Sequence, residues 1–227
     1  MKRKVMVLSL GGSLIIPDKV DIKFLKQFKE IIMRNTGKYR FIIVCGGGSL
    51  ARTYISALTH KKYHMQSTAG IAATRANAKF VSVFFDQDPE LEIPTTIKKI
   101  KKLIKKQDIV FSGALGFKPK QTSDSNAAEI AAYFKTEFIN LTNVSGLHDK
   151  NPKKFKSAKF IPKITWAKFY AMANKSAFKP GQHFVLDQTS AKIIQEKKVT
   201  CHILGQDMKQ LHYLLKGKKF KGTTISG

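Results

Sequence analysis

Three glycine clusters, each at the end of an apolar run, are the segments of this chain best suited to chemistry. They are Leu10-Gly11-Gly12-Ser13, Cys45-Gly46-Gly47-Gly48-Ser49 and Gly113-Ala114-Leu115-Gly116. Because glycine has no Cβ, such a turn lets backbone N–H groups approach a ligand closely, and a following helix N-terminus adds a positive dipole. A single turn of this kind is an ordinary strand-to-helix connection. Three together favour a phosphorylated ligand.

These turns need strands in front of them, and the chain supplies continuous apolar runs that predict strands buried on both faces. The runs are residues 5–8, 41–44 and 109–111. Further strands are predicted at residues 138–141 and 199–204 and, at an edge, 222–225. Segments with helical spacing separate the strands, so we expect an α/β fold with a mainly parallel sheet and helices on both faces. The three turns would then line one crevice at the carboxyl edge of the sheet.

Several helix starts can also be predicted. Asp21 and Asp187 precede helical patterns as N-caps, and Asn126 with Glu129 suggests a capping pair at another helix. Pro94 is expected to begin a lysine-rich helix with its apolar residues inward.

Length and composition indicate one globular domain. The chain has 227 residues, of which 43% are hydrophobic. No apolar run approaches the ~20 residues of a membrane helix, and no secretory signal is recognisable, so we expect a cytoplasmic protein without a membrane partner. Cys45 and Cys201 lie in strand-like runs, which predicts buried reduced thiols. No cysteine pair or histidine cluster has metal-ligand spacing, and no metal ligands are predicted.

Charge is the unusual property, since 41 Lys and Arg against 15 Asp and Glu give a net charge of +26. This balance attracts polyanions such as nucleic acid, and it equally suits small anionic substrates. The basic residues are mostly lysine, whereas arginine is the better reader of bases. We interpret the excess, including the run at residues 98–106, as a solvated surface. Nucleic acid is an alternative partner that we do not favour.

The familiar nucleotide and hydrolase signatures are missing from this sequence. It contains no G-x-x-x-x-G-K-[ST] loop, no protein-kinase H-R-D or D-F-G segment and no G-x-G-x-x-G after a strand. It also lacks a G-x-S-x-G elbow, so nothing marks Ser13 or Ser49 as a nucleophile.

Seven short motifs, in order along almost the whole chain, resemble one family. They are Leu10-Gly11-Gly12-Ser13, Gly46-Gly47-Gly48-Ser49-Leu50-Ala51-Arg52, Thr74-Arg75-Ala76-Asn77-Ala78, Thr122-Ser123-Asp124, Thr142-Asn143-Val144-x-Gly146, Asp187 with Ala191-Lys192-Ile193-Ile194, and Gly222-Thr223-Thr224-Ile225. Each motif is weak alone. Together they resemble the amino-acid kinase superfamily and, within it, the archaeal-type uridylate (UMP) kinases.

The resemblance implies an αβα sandwich formed by residues 1–227 as a single amino-acid kinase domain. The half at about residues 1–135 would bind the phosphate acceptor, and the half at about 136–227 would bind ATP with Mg²⁺. The implied reaction moves the γ-phosphoryl group of ATP to UMP to give UDP, a step of pyrimidine nucleotide biosynthesis. Relatives with this organisation form hexamers, so a homo-oligomer is expected.

Residue roles also follow from the resemblance. Donors around the transferring phosphoryl group would come from Gly11, Gly12 and Ser13. The acceptor phosphate would be held by Gly47, Gly48 and Arg52. Other acceptor contacts would come from Ser67, Thr122 and Ser123. Asp124 would organise the donors and the magnesium ion. The simpler structural interpretations are that Asp124 is an N-terminal helix residue favoured by the helix dipole and that Arg52 lies on a helix surface.

On the ATP side, the resemblance places three residues around the phosphates and ribose: Thr142, Asn143 and Gly146. His148 stands where a tyrosine would stack on adenine, and Asp149 would flank the nucleotide. An ordinary turn explains Asp149 nearly as well.

Four departures from the family pattern fall at positions that matter. Ser9 stands where many superfamily members have a lysine, and Ser67 where an aspartate would hold the acceptor ribose. Lys120 replaces a glycine, and Ser145 and His148 replace an aspartate and a tyrosine. Two alternatives therefore stay open. One is a kinase of the isopentenyl-phosphate type, although neither His60 nor His64 is clearly placed for its substrate. The other is a catalytically weakened homologue that binds RNA or another polyanion.

Overall fold

The predicted alternation of strands and helices is present in the structure, a computed structural model that describes residues 3–150, 152, 155–175 and 185–227. The strands in these ranges are β1 (Lys4–Leu10), β2 (Tyr39–Cys45), β3 (Ile109–Ser112), β4 (Phe138–Leu141), β5 (Leu147–His148), β6 (Phe160–Ile161), β7 (Lys163–Ile164), β8 (Cys201–Leu204) and β9 (Thr223–Ile225). The helices there are α1 (Gly12–Ile15), α2 (Ile22–Met33), α3 (Gly48–Ala57), α4 (Tyr63–Phe84), α5 (Ile97–Leu103), α6 (Ser123–Phe134), α7 (Trp166–Asn174), α8 (Gln188–Glu196) and α9 (Met208–Leu215).

Within the described residues, seven strands form one sheet in the order β3-β2-β1-β4-β8-β9-β7. The strands from β3 to β8 in this order are parallel, so their carboxyl ends share one edge. The strand predicted at residues 222–225 is present as β9, but its predicted edge position is wrong. β9 lies inside the sheet because it pairs with β8 on one side and with the short β7 on the other.

Both faces of the sheet are covered by helices, which explains the continuous apolar runs. Along β1, Met6 and Leu8 pack into one core with α1, α2, α4 and α9. Val7, between them, packs into the opposite core with α5, α6, α7 and α8. Because successive residues of a strand point to opposite faces, a strand between two cores must be apolar throughout. The expected αβα sandwich is confirmed.

Two helix starts differ from the sequence prediction. Thr122 caps α6 and forms a capping box with Ser125, so the pair predicted at Asn126 and Glu129 is wrong. Thr122 Oγ1 accepts from the N–H groups of Asp124 and Ser125, and Ser125 Oγ accepts from the N–H of Thr122, so the helix begins one turn earlier. The lysine-rich helix α5 begins at Ile97 with Thr96 as its cap, three residues after Pro94.

Other local predictions are confirmed. Asp21 and Asp187 cap α2 and α8 through their side chains. Cys45 and Cys201 are buried free thiols, and burial raises the pKa of both. In the described ranges, no helix has the length and apolar character needed to cross a membrane.

Candidate active site

The glycine turns after β1 and β2 pack backbone against backbone. A Cβ on Gly12 would lie 2.0 Å from the amide nitrogen of Gly48, and one on Gly46 would lie 2.5 Å from the amide nitrogen of Gly12. Gly48 also has a φ of +61°, a conformation that L side chains rarely adopt. A larger residue would therefore push the two turns apart. The structure brings the first two predicted turns together.

The third turn, after β3, is held by polar residues of α4. The amide of Ala114 donates to Thr74 Oγ1 at 2.9 Å. The Arg75 guanidinium donates to the carbonyl oxygens of Ala114 at 3.1 Å and Leu115 at 2.7 Å. Sequence reasoning gave Thr74 and Arg75 no role, although they interrupt an otherwise apolar helix. Their function is to fix the loop that leads from β3 to α6.

Backbone donors are available where the first two turns meet. Four amide N–H groups have no hydrogen-bond acceptor in the described part of the chain: those of Gly12, Ser13, Gly47 and Gly48. Such groups at helix starts are common ligands of phosphate oxygens. Gly11 differs from the prediction, because its N–H donates to the carbonyl oxygen of Leu141 at 3.0 Å. Gly11 therefore ties β1 to the end of β4 and offers no free donor.

A cavity of about 390 Å³ opens at the carboxyl edge of the sheet. Its walls come from α3, α4, the loop between β3 and α6, and the N-terminal ends of α6 and α8. The residues predicted to contact the acceptor and found in this wall are Ser67, Thr122, Ser123 and Asp124. Apolar side chains in the wall include Ile55, Ile71, Phe117 and Leu186. The cavity thus combines hydroxyl and carboxylate groups with an apolar surface.

Asp124 is the most perturbed acid of this cavity. Its Oδ1 accepts a hydrogen bond from Ser9 Oγ at 2.5 Å. Burial raises the pKa of Asp124 to about 6, the Ser9 hydrogen bond lowers it, and the nearby charge of Asp187 raises it further. At neutral pH the carboxylate is ionised, yet it has lost much of its hydration. It is therefore poised to interact with a cation or with donors on a ligand.

Ser9 is a site residue that sequence reasoning noted only as a departure. It is fully buried on β1, at the position where the family resemblance leads us to expect lysine. A neutral hydroxyl in that place orients Asp124 without supplying positive charge. The sequence signal was a single polar residue inside an apolar strand, which alone does not say what it contacts.

Asp187 links the N-terminal ends of two helices. Its Oδ1 accepts from the amide of Ser190 at 2.9 Å, and its Oδ2 accepts from Thr122 Oγ1 at 2.6 Å and from Ser190 Oγ at 2.5 Å. Because Thr122 caps α6 and Asp187 caps α8, this contact joins the two predicted halves of the chain. Sequence reasoning found Asp187 as a cap and did not predict the contact.

Lys120 adopts the backbone conformation that the family glycine would favour. Its φ is +60°, in the left-handed region. Its carbonyl oxygen accepts from Thr189 Oγ1 at 2.8 Å, a second link between this loop and α8. The loop keeps the required shape despite the substitution.

Arg52 lies on the exposed side of α3. Its Nη2 donates to the carbonyl oxygen of Pro17 at 3.1 Å. Neither Arg52 nor the turn at Gly47 and Gly48 is among the described residues that line the cavity, whereas Ala51 of the same helix is. A role of Arg52 in holding phosphate stays a prediction, and it requires the side chain to leave Pro17.

The first two predicted ATP-side residues follow β4. The amide of Thr142 donates to the carbonyl oxygen of Leu204 at 2.9 Å, which joins the ends of β4 and β8. Asn143 lines a shallow hollow of about 200 Å³ together with Ser145, Gly205 and neighbouring residues of the loop after β8. None of the residues that line this hollow lines the larger cavity.

The remaining ATP-side residues are engaged with the β5–β6 hairpin. Gly146 has a φ of +151°, and a Cβ there would lie 2.7 Å from the ring of Phe160. The His148 ring meets the Phe160 ring edge-on at 5.5 Å. Asp149 Oδ1 accepts from the amide of Lys159 at 2.7 Å. These contacts give Gly146 and Asp149 structural roles, while nucleotide contacts of His148 and Asp149 stay predictions.

Fold and site together define a three-layer α/β protein with a candidate phosphate-transfer site at the carboxyl edge of its sheet. The sequence model described as "Amino acid kinase family" matches residues 4–205. The chain belongs to the amino acid kinase family. It is similar to the uridylate kinases of Thermococcus sibiricus (31% identical, covering 97% of this chain and 98% of the relative) and Thermoplasma acidophilum (32% identical, covering 97% and 96%).

Solved structures give the same result. The crystal structure of uridylate kinase from Archaeoglobus fulgidus matches with a TM-score of 0.84 and 29% identity, covering 98% of this chain and all of that chain. The structure of UMP kinase from Ureaplasma parvum, 23% identical with a TM-score of 0.81, shares the fold.

Proposed function

We propose that this chain transfers the γ-phosphoryl group of ATP to UMP, giving UDP in the cytoplasm. The observation that carries the proposal is the cavity in which Ser67, Thr122, Ser123 and Asp124 meet. It lies in a chain that is similar to uridylate kinases over 97% of its length. Without these residues in one wall, the family resemblance alone would leave the acceptor pocket undefined.

The chemistry of phosphoryl transfer suits this site. Such transfer needs positioning and charge neutralisation more than covalent chemistry. In the proposal, the acceptor occupies the cavity, and the free N–H groups of the first two turns bind phosphate oxygens. Asp124 orients donors at the reacting phosphate, and Ser9 holds its carboxylate in place. Arg52 meets the acceptor phosphate once it is released from Pro17.

The residues present fit a magnesium ion that arrives with ATP. Asp124 and Asp187 both line the cavity, and carboxylate oxygens are ligands that Mg²⁺ accepts. The described residues contain no group of three or more His, Cys, Asp and Glu that could hold a metal by themselves. Mg²⁺ is commonly held by one or two carboxylates plus substrate phosphates, and Asp124 and Asp187 would supply the carboxylates. When bound, the ion would neutralise charge on the transferring phosphoryl group.

The direct test is an ADP-release assay with Mg-ATP and a panel of acceptors. UMP is expected to give the highest kcat/KM, above CMP and AMP. An exposed-site variant, Asp18→Asn, serves as a preparation control and should retain full activity. Absence of UMP-dependent turnover in a folded preparation would reject the proposal.

A second acceptor class is favoured by the apolar part of the wall. Ile55, Ile71, Phe117 and Leu186 would suit an isoprenoid chain, and Ser67 lacks the charge expected to hold a ribose. Isopentenyl phosphate therefore belongs in the same panel. Turnover with isopentenyl phosphate above that with UMP would make this the preferred function.

We also propose that the protein works as a homo-oligomer, with a hexamer as the expected state. The support within the chain is α3, in which none of the ten residues is buried although the apolar Tyr54 lies on it and Leu58 follows directly after it. A second copy packed on α3 would cover it. Light scattering of the purified protein measures the mass, and a monomer would contradict this part of the proposal.

A further inference from the structure

We infer that this protein has a second anion-binding surface, at the edge of the sheet opposite the cavity, and that its ligand is a single-stranded nucleic acid. The surface is a hollow of about 310 Å³ between the amino ends of β1, β4 and β8. We call it the basic hollow. Its lining includes Lys4, Lys135, Lys197, Lys198, Thr136, Thr200 and Glu137.

The four lysines of the basic hollow come from separate parts of the chain. Lys4 begins β1, Lys135 ends α6, and Lys197 and Lys198 end α8. Their convergence is therefore a product of the fold and not of one lysine-rich segment. The run at residues 98–106, by contrast, lies largely along a single helix, where a solvated face accounts for it.

The negative charge in the basic hollow is already paired. Glu137 Oε1 accepts from Lys4 at 2.7 Å, and Glu137 Oε2 lies 3.6 Å from His202 Nε2. The neighbouring His202 ring, followed by the hydrogen bond from Lys4, lowers the pKa of Glu137 to about 2 against the opposing effect of burial. No ion pair or hydrogen bond within the described ranges engages the ammonium groups of Lys135, Lys197 and Lys198. Three cations thus surround one hollow with no acid left to balance them.

The backbone at two of these lysines is unusual. Lys135 and Lys198 both have a φ of +51°, at helix ends where glycine is the common residue. A lysine near a helix carboxyl end complements the helix dipole, which accounts for either residue alone. The dipole does not explain why the ends of two helices, α6 and α8, place Lys135, Lys197 and Lys198 in the lining of the same hollow. Three lysines that line one hollow are suited to bind successive phosphates.

An exposed aromatic residue that follows Ala132, a lining residue of the basic hollow, indicates a ligand with bases. Tyr133, two residues before Lys135 on α6, is 48% exposed. Lys101 Nζ lies 5.5 Å from the centre of its ring, so α5 adds another cation there. Stacking of bases on aromatic rings next to a positive groove is the usual way of binding single strands. A bare polyphosphate would use the lysines and would not need the exposed ring of Tyr133.

The test measures binding of a fluorescently labelled single-stranded RNA to the full chain by anisotropy. The triple variant Lys135→Gln, Lys197→Gln, Lys198→Gln should bind at least tenfold more weakly. The slope of log K against log salt should fall by about 2 in magnitude, from roughly 0.7 per lost phosphate contact. A matched control removes the same charge from exposed lysines elsewhere, at Lys216, Lys218 and Lys219. The control should weaken binding less than threefold.

Three further measurements test whether the bases of the RNA are bound and whether the RNA lies outside the cavity. Tyr133→Ala should weaken RNA binding at least fivefold, whereas Tyr133→Phe should retain it. Mg-ATP with UMP should not displace the RNA, because the cavity lies at the opposite edge. Equal losses in the triple variant and its control, no effect of Tyr133→Ala, or displacement by Mg-ATP with UMP would each overturn the inference. Far-UV circular dichroism and thermal denaturation of the triple variant, measured in parallel, show that it is folded and keep this test independent of the proposed function.

Discussion

Replacement of Asp124 by asparagine is expected to stabilise the ligand-free protein while it lowers turnover. The pKa of Asp124 is raised from 3.8 to about 6, chiefly by burial. One pKa unit corresponds to about 1.36 kcal/mol, so ionisation of Asp124 costs the folded state up to about 3 kcal/mol above pH 6. Asparagine carries no charge, and its Oδ1 can still accept the hydrogen bond from Ser9. The free energy of unfolding should therefore rise by about 1–3 kcal/mol at pH 8.

The sign of the pH dependence follows from the raised pKa. The folded protein holds the Asp124 proton more tightly than the unfolded chain does, so the parent protein loses stability as pH rises from about 4 to about 6. The variant has no such loss. The stability difference between the two proteins should be full at pH 8, shrink between pH 6 and pH 4, and vanish below pH 4.

Urea denaturation of both proteins at pH 8 and pH 3.5 measures this difference. Asp18→Asn is the matched control, because Asp18 is exposed and forms no hydrogen bond or ion pair with the described residues, and its effect should stay within about 0.5 kcal/mol. Turnover of Asp124→Asn should fall by about 100-fold or more. A loss of stability at pH 8, or an equal gain at both pH values, would refute the reasoning that Asp124 is a desolvated carboxylate.

Three other predictions test the site. Gly12→Ala should lower the free energy of unfolding, measured by urea denaturation, by about 3 kcal/mol, because its Cβ would lie 2.0 Å from the amide nitrogen of Gly48. The control Gly37→Ala, whose Cβ would have nothing within 4 Å, should change it by less than about 1 kcal/mol, and equal losses in the two variants would contradict the close packing of the turns. Ser9→Ala removes a hydrogen bond that lowers the pKa of Asp124, so the acidic limb of the turnover profile should move to higher pH, and an unmoved limb would exclude this coupling. Arg52→Ala should raise the KM for the acceptor about tenfold with little change in kcat. The control Arg34→Ala, at an exposed arginine paired with Glu30, should leave this KM unchanged. An unchanged KM in Arg52→Ala would remove Arg52 from the site.

The strands and their glycine turns could be predicted because their causes are local. A strand buried between two helix layers needs apolar residues at consecutive positions, and the runs at residues 5–8, 41–44 and 109–111 show this directly. Glycine clusters follow wherever two backbones must approach, as at Gly12 and Gly48. Residue order along the chain suffices for inferences of this kind.

The start of α6 shows where local reasoning failed. Asn126 and Glu129 have the residue types of a capping pair, but both are used by other parts of the fold. Asn126 Oδ1 accepts from the amide of Leu115, and Glu129 pairs with Lys118 at 2.7 Å. The hydroxyl groups of Thr122 and Ser125 form the cap instead. Several residues could have capped this helix, and packing against the loop after β3 selected among them.

The sequence by itself determined the α/β fold and the glycine turns, because apolar spacing and backbone sterics act over a few residues. Its resemblance to a family pointed to Asp124 as the acid of the site. Only the tertiary structure decided how that acid is used. Ser9 and Asp124 are 115 residues apart along the chain, and Thr122 and Asp187 are 65 residues apart, yet both pairs are hydrogen-bonded. Burial and neighbouring charge set the pKa of Asp124, and both depend on which distant segments the fold brings within a few ångströms.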